Sequence, residues 1–118
     1  MTTIALVDDE SSIRTSVSLA LESEGFKVDV FQNGIEALEA LESKTYDLGL
    51  FDIKMPKMDG NELLEKVRSS KIEYLKEMPI IFLTSKDQEQ DEIIGLRMGA
   101  ADYITKPFSQ KLLNERIR

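Results

Sequence analysis

Residues 4–9 of the chain read Ile-Ala-Leu-Val-Asp-Asp, four apolar side chains followed at once by two acids. An apolar run without alternation is typical of a strand that is covered on both faces of a parallel sheet. Four further short apolar runs follow along the chain. The predicted strands are Ile4–Val7, Val28–Phe31, Leu48–Phe51, Ile80–Leu83 and Tyr103–Ile104.

Helical segments separate these strands. The first has an apolar face that includes Ile13 and Val17, and it stops at Gly25. The next three open with residue pairs at the spacing of a capping box, namely Asn33 with Glu36, Asp59 with Glu62, and Asp87 with Gln90. The fourth helix ends before Gly99, and Ser109 caps the fifth. This alternation predicts an α/β fold, a single doubly wound (βα)₅ domain with a flavodoxin-like parallel five-stranded sheet in the order 2-1-3-4-5.

The composition excludes several classes of function. The 118 residues suffice for one domain with its own core. The chain has no Cys and no His, which excludes disulfides, thiol chemistry, histidine metal ligands and a histidine phospho-carrier. Its net charge of −7 argues against direct binding of nucleic acid. No stretch is long enough to span a bilayer, so we expect a cytoplasmic location and no membrane partner.

Polar side chains follow four of the five predicted strands. Asp8 and Asp9 follow the first strand, Asp52 follows the third, Thr84 ends the fourth, and Lys106 follows the fifth. In an open α/β sheet, ligands bind outside the carboxyl ends of the strands, where the strand order reverses. We therefore expect three carboxylates, one hydroxyl and one ammonium group to converge at this edge.

Each of these residues also has a purely structural interpretation. Asp8 and Asp9 could cap the first helix, Asp52 could start a turn, Thr84 could be a half-buried hydroxyl, and Lys106 could be a solvated loop residue. The interpretations are not independent, because three carboxylates packed together repel one another unless a hard cation lies among them. The set therefore favours a Mg²⁺ site with oxygen ligands.

These residue types suit phosphoryl transfer to a carboxylate. A carboxylate that attacks phosphorus meets a group that is itself negatively charged, so the protein must supply positive charge and positioning. We expect Asp52 to be the acceptor, with Mg²⁺ held by Asp9 and Asp52. Lys106 reaches a second phosphoryl oxygen as a point charge, Thr84 donates to a third, and Asp8 acts on the metal through water.

Four stretches of the chain match a known family. They are Val7-Asp8-Asp9-Glu10, the run from Phe51 to Gly60 (Phe-Asp-Ile-Lys-Met-Pro-Lys-Met-Asp-Gly), the run from Phe82 to Lys86 (Phe-Leu-Thr-Ser-Lys), and the run from Asp102 to Phe108 (Asp-Tyr-Ile-Thr-Lys-Pro-Phe). The sequence resembles the receiver domains of bacterial two-component response regulators over essentially its whole length. We therefore expect residues 1–118 to form one receiver domain. The last predicted helix ends early, at Ile117-Arg118, so the chain is also expected to be a fragment cut before a C-terminal DNA-binding domain.

The resemblance implies roles for particular residues. A sensor histidine kinase would donate the phosphoryl group to Asp52, and the backbone carbonyl of Lys54 would join Asp9 and Asp52 around Mg²⁺. Thr84 and Tyr103 would form a switch pair, and the Lys106–Pro107 bond would be cis. The chain would catalyse its own phosphorylation and slow dephosphorylation, and it would not be an enzyme acting on other substrates.

The run from Gly99 to Ser109 is most similar to the subfamily with a C-terminal winged-helix domain. That resemblance implies transcriptional control, contact with DNA only through an attached effector domain, and a homodimer on phosphorylation. The dimer would form through predicted helix four, strand five and helix five, at Ile93, Leu96, Asp102 and Arg116. Ala101 and Glu92 depart from the charges usual there, so the expected dimer is weak.

Three other classes remain as alternatives. A phosphohydrolase with an aspartyl nucleophile needs a second acid two residues later, where this chain has Lys54. A flavin or nucleotide binder needs a Gly- or Ser/Thr-rich loop after the first strand, where Asp8 and Asp9 would repel phosphate. A receiver that serves only for docking usually lacks one of the acids, the Thr or the Lys, and all of them are present.

Overall fold

The computed structural model describes residues 2–55, 57–84, 102–105, 115 and 117. Side chains are not described at 84, 102, 103 and 105. The elements in chain order are β1 (Thr3–Val7), α1 (Ser11–Ser23), β2 (Lys27–Phe31), α2 (Gly34–Ser43), β3 (Leu48–Asp52), α3 (Gly60–Arg68), α4 (Glu73–Glu77), β4 (Ile80–Thr84) and β5 (Asp102–Thr105). Each predicted strand is present, with its ends within one residue of the prediction.

The strands form a parallel sheet, as predicted. The first four have the order β2-β1-β3-β4, and the four-residue β5 pairs with β4 at the edge. The strand order reverses between β1 and β3, which are neighbours although β2 lies between them in sequence. In that pair Val7 is the register partner of Phe51. The carboxyl ends of β1 and β3 therefore lie side by side.

Two apolar layers cover the sheet. Alternate residues of β1 point to opposite faces, so that Ala5 and Val7 belong to one layer while Ile4 and Leu6 belong to the other. On the described part of the chain, α2, α3 and α4 pack on the first face and α1 on the second. This double coverage explains why the first strand is apolar throughout, since both of its faces are buried.

The caps of two helices are those predicted from the sequence. The Asn33 side chain accepts a hydrogen bond from the Glu36 backbone N–H (2.9 Å), as in a capping box, and its amide also donates to the Glu36 carboxylate (3.1 Å). The Asp59 carboxylate accepts from the Glu62 N–H (2.8 Å). These bonds fix where α2 and α3 begin, and both helices begin at the edge that carries the acids.

One observed helix was not predicted. The single turn α4 buries only Leu75, so it has no apolar repeat that sequence analysis could detect. It is distinct from the predicted fourth helix, which opens at Asp87. That helix and most of the fifth lie outside the described residues, although Glu115 and Ile117 are helical.

The turn between β3 and α3 is held by a close backbone approach. The Gly60 N–H donates to the Ile53 carbonyl oxygen at 2.7 Å. A Cβ atom at Gly60 would overlap the Asp52 carbonyl oxygen. Only glycine therefore lets α3 start directly against the residue that ends β3, and this contact fixes the backbone of Asp52.

We expect Gly60→Ala to lower the free energy of unfolding by about 2 kcal/mol or more, because the added methyl group forces this backbone contact apart. Helix propensity alone would favour Ala at this position. Urea unfolding measures the change. Glu65→Ala, at an exposed position of the same helix, is the control and should change stability by less than about 0.5 kcal/mol. A Gly60→Ala protein as stable as the control would contradict the contact.

Candidate functional site

The backbone holds Asp8 in place at the end of β1. Its N–H donates to the Phe31 carbonyl oxygen (3.1 Å), and its own carbonyl oxygen accepts from the Arg14 guanidinium (2.7 Å). The Asp8 side chain is fully buried, and its Oδ1 accepts from the Glu10 N–H at 2.9 Å. The N-cap of α1 is Glu10, without a capping bond from its side chain. The interpretation of Asp8 and Asp9 as caps of the first helix is therefore wrong.

Asp52 is the last residue of β3 and is only 4 % exposed. Its register partner on β4 is Leu83, and the next residue, Ile53, donates its N–H to the Leu83 carbonyl oxygen at 3.3 Å. Asp52 therefore lies between the ends of β1 and β4, on a strand that is buried along its whole length.

Asp8, Asp9 and Asp52 come together as the sequence predicts. One carboxylate oxygen from each lies within 4.8 Å of the other two. Asp9 is exposed, whereas Asp8 and Asp52 are buried. At this separation the two buried charges repel by on the order of 3 kcal/mol at an effective dielectric constant of about 20, and solvent screens the repulsion from the exposed Asp9 to a smaller value. A cluster of three close carboxylates, two of them buried, is a candidate site for a hard cation.

The donor set fits Mg²⁺. The three residues offer only carboxylate oxygens, which a small hard cation prefers, and the exposed side at Asp9 leaves room for the waters that Mg²⁺ retains. A role of the Lys54 carbonyl oxygen as a further ligand stays a prediction.

The other predicted residues are described less fully. Thr84 ends β4 at the same edge as the acids, and Tyr103 lies in β5 opposite Phe82. Asp102 begins β5. Lys106, Ile93, Leu96 and Arg116 lie outside the described residues, and so do Ala101, Glu92 and the Lys106–Pro107 bond. Their predicted roles stay predictions.

Sequence analysis missed a pocket beside the acids. An open pocket of about 300 Å³ is lined by Asp9, Gln32, Asn33 and Lys57. Lys57 has a backbone φ of 69°, in the left-handed region that Gly or Asn occupies more readily. Nothing in the order of residues after β2 and β3 shows that these two loops face each other. The signal that could have found Lys57 is its place in the tight turn of Met-Pro-Lys-Met-Asp-Gly.

The fold and this acidic cluster define a class of doubly wound α/β domains with a carboxylate site at the switch point of the sheet, and comparison with known proteins gives the family. The family described as "Response regulator receiver domain" matches residues 4–118. The chain therefore belongs to the response regulator receiver family, as its motifs predicted.

Two curated relatives illustrate this membership. The chain is 42 % identical over 115 residues to the alkaline phosphatase synthesis transcriptional regulatory protein PhoP of Bacillus subtilis, an alignment that covers 98 % of the chain and 46 % of that protein. It is 43 % identical over 115 residues to the transcriptional regulatory protein DltR of Streptococcus agalactiae, covering 98 % and 50 %. The chain thus spans about half the length of the curated relatives it matches.

Solved structures share the fold. A putative response regulator from Chloroflexus aurantiacus superposes with a TM-score of 0.92 at 31 % identity, covering 98 % of this chain and 93 % of that one. The receiver domain of the sensor histidine kinase PA1611 from Pseudomonas aeruginosa superposes with a TM-score of 0.89 at 30 % identity, with the same coverage. The latter structure has a magnesium ion coordinated in its active-site cleft.

Within the described residues of our chain, no helix has the length and apolarity needed to cross a membrane.

Neutralising one acid of the cluster tests whether repulsion is present without a cation. In EDTA we expect Asp9→Asn to raise the free energy of unfolding by about 0.5–1 kcal/mol, because the exposed Asp9 repels two buried carboxylates. Adding Mg²⁺ should stabilise the wild type and leave the variant nearly unchanged, since only the native wild type binds the ion well.

Urea unfolding with EDTA and with Mg²⁺ measures both effects. Glu65→Gln, which removes an exposed acid from α3, corrects for the change in net charge. A variant less stable than the wild type in EDTA, or one that keeps the full response to Mg²⁺, would contradict the repulsive cluster as the cation site.

Proposed function

We propose that Asp52 accepts a phosphoryl group from the phosphohistidine of a sensor histidine kinase, in a reaction that requires Mg²⁺. The observation that carries the proposal is the cluster in which carboxylate oxygens of Asp8, Asp9 and Asp52 lie within 4.8 Å of one another. It lies where the order of a parallel sheet reverses, the place where such folds bind ligands.

Among the three acids, Asp52 fits the acceptor best. Asp8 already accepts the Glu10 N–H through one oxygen and is fully buried, which suits a supporting role through water. Asp9 is exposed and suits a ligand that meets an incoming cation. Asp52 ends the central strand β3, and the close approach of Gly60 to its carbonyl oxygen holds its backbone, which supports its role as the acceptor.

The cation would be held by Asp9, Asp52 and the Lys54 carbonyl oxygen, with Asp8 acting through a water molecule. When bound, it supplies the positive charge that lets an anionic carboxylate approach an anionic phosphoryl group. The chain supplies the remaining stabilisation at the same edge. Lys106 would act as a point charge on a phosphoryl oxygen, and the Thr84 hydroxyl would donate to another.

A signalling acceptor fits the site better than a hydrolase does. Lys54 stands two residues after Asp52, where an aspartyl phosphohydrolase needs an acid to protonate its leaving group. The lysine at that position supports an acceptor over a hydrolase. The chain would thus catalyse only its own phosphorylation and slow dephosphorylation.

The relatives support a transcriptional output. PhoP and DltR are named transcriptional regulatory proteins, and each is about twice as long as this chain. We propose that the chain is the receiver part of such a protein, located in the cytoplasm, and that it reaches DNA only through an attached effector domain. The net charge of −7 agrees with a part that does not itself bind DNA.

The acceptor is tested by labelling. Incubation with acetyl phosphate and Mg²⁺ should add one phosphoryl group to the wild-type chain, removable by hydroxylamine, because an acyl phosphate is the product. Asp52→Asn should abolish the label, whereas Asp47→Asn, which removes an acid just before β3, should retain it. Intact-mass spectrometry measures the outcome. Undiminished labelling of Asp52→Asn would exclude Asp52 as the acceptor.

We also propose a weak homodimer on phosphorylation, formed through the predicted helix four, β5 and the predicted helix five. The family resemblance supports it, with Ile93, Leu96, Asp102 and Arg116 as contacts and Thr84 with Tyr103 as the switch between site and surface. Beryllofluoride, which mimics the phosphoryl group, should raise the sedimentation coefficient of the wild type, and Asp102→Lys should prevent this. Equal sedimentation of the wild type with and without beryllofluoride at high concentration would exclude the dimer for this chain.

A further inference from the structure

The pocket beside Asp9 adds a second feature to the acidic site. It is formed by two loops at the same edge of the sheet, since Gln32 and Asn33 follow β2 while Lys57 follows β3. It shares Asp9 with the acidic cluster, and a carboxylate oxygen of Asp9 lies within 4.8 Å of one from Asp52. The pocket is therefore adjacent to the acidic cluster through Asp9.

The charges of this pocket differ from those of the cluster. Of the four described residues that line it, Asp9 is negative, Lys57 is positive, and Gln32 and Asn33 carry neutral amides. Its volume of about 300 Å³ is at the lower end of the range for ligand pockets, which suits a small molecule. An ammonium and two amides favour a small anionic group. That group would belong to a phosphoryl donor whose phosphoryl part lies at the acidic cluster, on the other side of Asp9.

The backbone at Lys57 gives an independent reason to look for a use of its side chain. A φ of 69° is unfavourable for a residue with a Cβ, and glycine would adopt it without strain. Strained backbone conformations of this kind cluster at active sites and ligand clamps. Lys57 combines such a conformation with a place in the lining of the pocket.

We propose that this pocket is a subsite for the leaving group of a small acyl phosphate, with Lys57 as the residue that stabilises the departing carboxylate. This inference rests on the proposed function of Asp52. An Asp52 carboxylate oxygen forms a bond to phosphorus while the bond from phosphorus to the acyl oxygen breaks. The electron pair of that bond leaves with the oxygen, so that a carboxylate anion departs and no proton is needed. Lys57 lowers the barrier because negative charge grows on that oxygen in the transition state.

Two phosphoryl donors with different leaving groups distinguish stabilisation of the departing carboxylate by Lys57 from a general effect of its charge on the labelling of Asp52. Acetyl phosphate releases acetate, an anion, whereas phosphoramidate releases neutral ammonia. With saturating Mg²⁺, Lys57→Gln should slow labelling by acetyl phosphate about threefold or more, the size expected for one partly exposed charge interaction. Labelling by phosphoramidate should stay the same within experimental error, and Lys57→Arg should restore the rate with acetyl phosphate.

Two further variants keep the test independent of folding and of net charge. Lys57→Gly removes the ammonium and also the backbone strain, so it should fold at least as stably and show the same loss with acetyl phosphate alone. Lys71→Gln removes an exposed lysine from the loop after α3, at the opposite end of the strands, and should leave both rates unchanged. The loss in Lys57→Gln should shrink as salt concentration rises.

The outcomes are distinct. Equal slowing with both donors, no slowing with either, or the same loss in Lys71→Gln would each overturn the leaving-group subsite while leaving Asp52 as the acceptor. Failure of the wild type to be labelled by either donor would instead overturn the proposed function, and the subsite with it.

Discussion

Mutual repulsion among three carboxylates is the constraint on which the site depends. Two of them are buried, and all three lie within 4.8 Å of one another, so the metal-free fold must hold them together against their charge. Main-chain hydrogen bonds contribute to this. The Asp8 N–H is bonded to Phe31, the Asp8 carbonyl to Arg14, and the Gly60 N–H to Ile53, while apolar layers cover both faces of the sheet behind them. A cation bound among the three carboxylates would offset this repulsion, because it attracts each of them.

The loops around the acids are tied to each other as well as to the sheet. The first residue of α2, Gly34, packs so closely on Met58 that an added Cβ would lie 3.0 Å from that side chain. The β2–α2 and β3–α3 loops, which form the pocket, are thus in contact. The edge strand β2 is anchored through Asp29, whose carboxylate accepts from Lys44 (2.9 Å) and from the Tyr46 hydroxyl (2.8 Å). The hydrogen bond from Lys44 lowers the pKa of Asp29, so this anchor is present at neutral pH and weakens only in acid.

The sequence predicted what depends on burial and strand ends, and it missed what depends on loop geometry. The five strands were located within one residue, and β1 and β4 gave the clearest signal because a strand that is covered on both faces is apolar throughout. The meeting of Asp8, Asp9 and Asp52 followed from the parallel order alone. The turn α4 has a single buried residue, Leu75, and so leaves no periodic pattern. The pocket at Lys57 depends on a left-handed backbone and on contact between two loops. The order of residues does not show that these two loops meet.

On the proposed function, the sheet also limits how a phosphoryl group on Asp52 can act at a distance. The modification replaces one carboxylate charge by about two phosphoryl charges, so it changes the balance within the cluster most strongly. Asp52 is aligned with Leu83 on β4, and the next residue, Thr84, is aligned with Thr105 on β5. On the other side of β3, β1 and its helix α1 are held in a buried apolar cluster. A ligand shifts an equilibrium only where two states differ in their interaction with it. The end of β4 is next to the acceptor strand on one side and pairs with β5 on the other, and we infer that it connects the acceptor to the surface proposed for dimerisation.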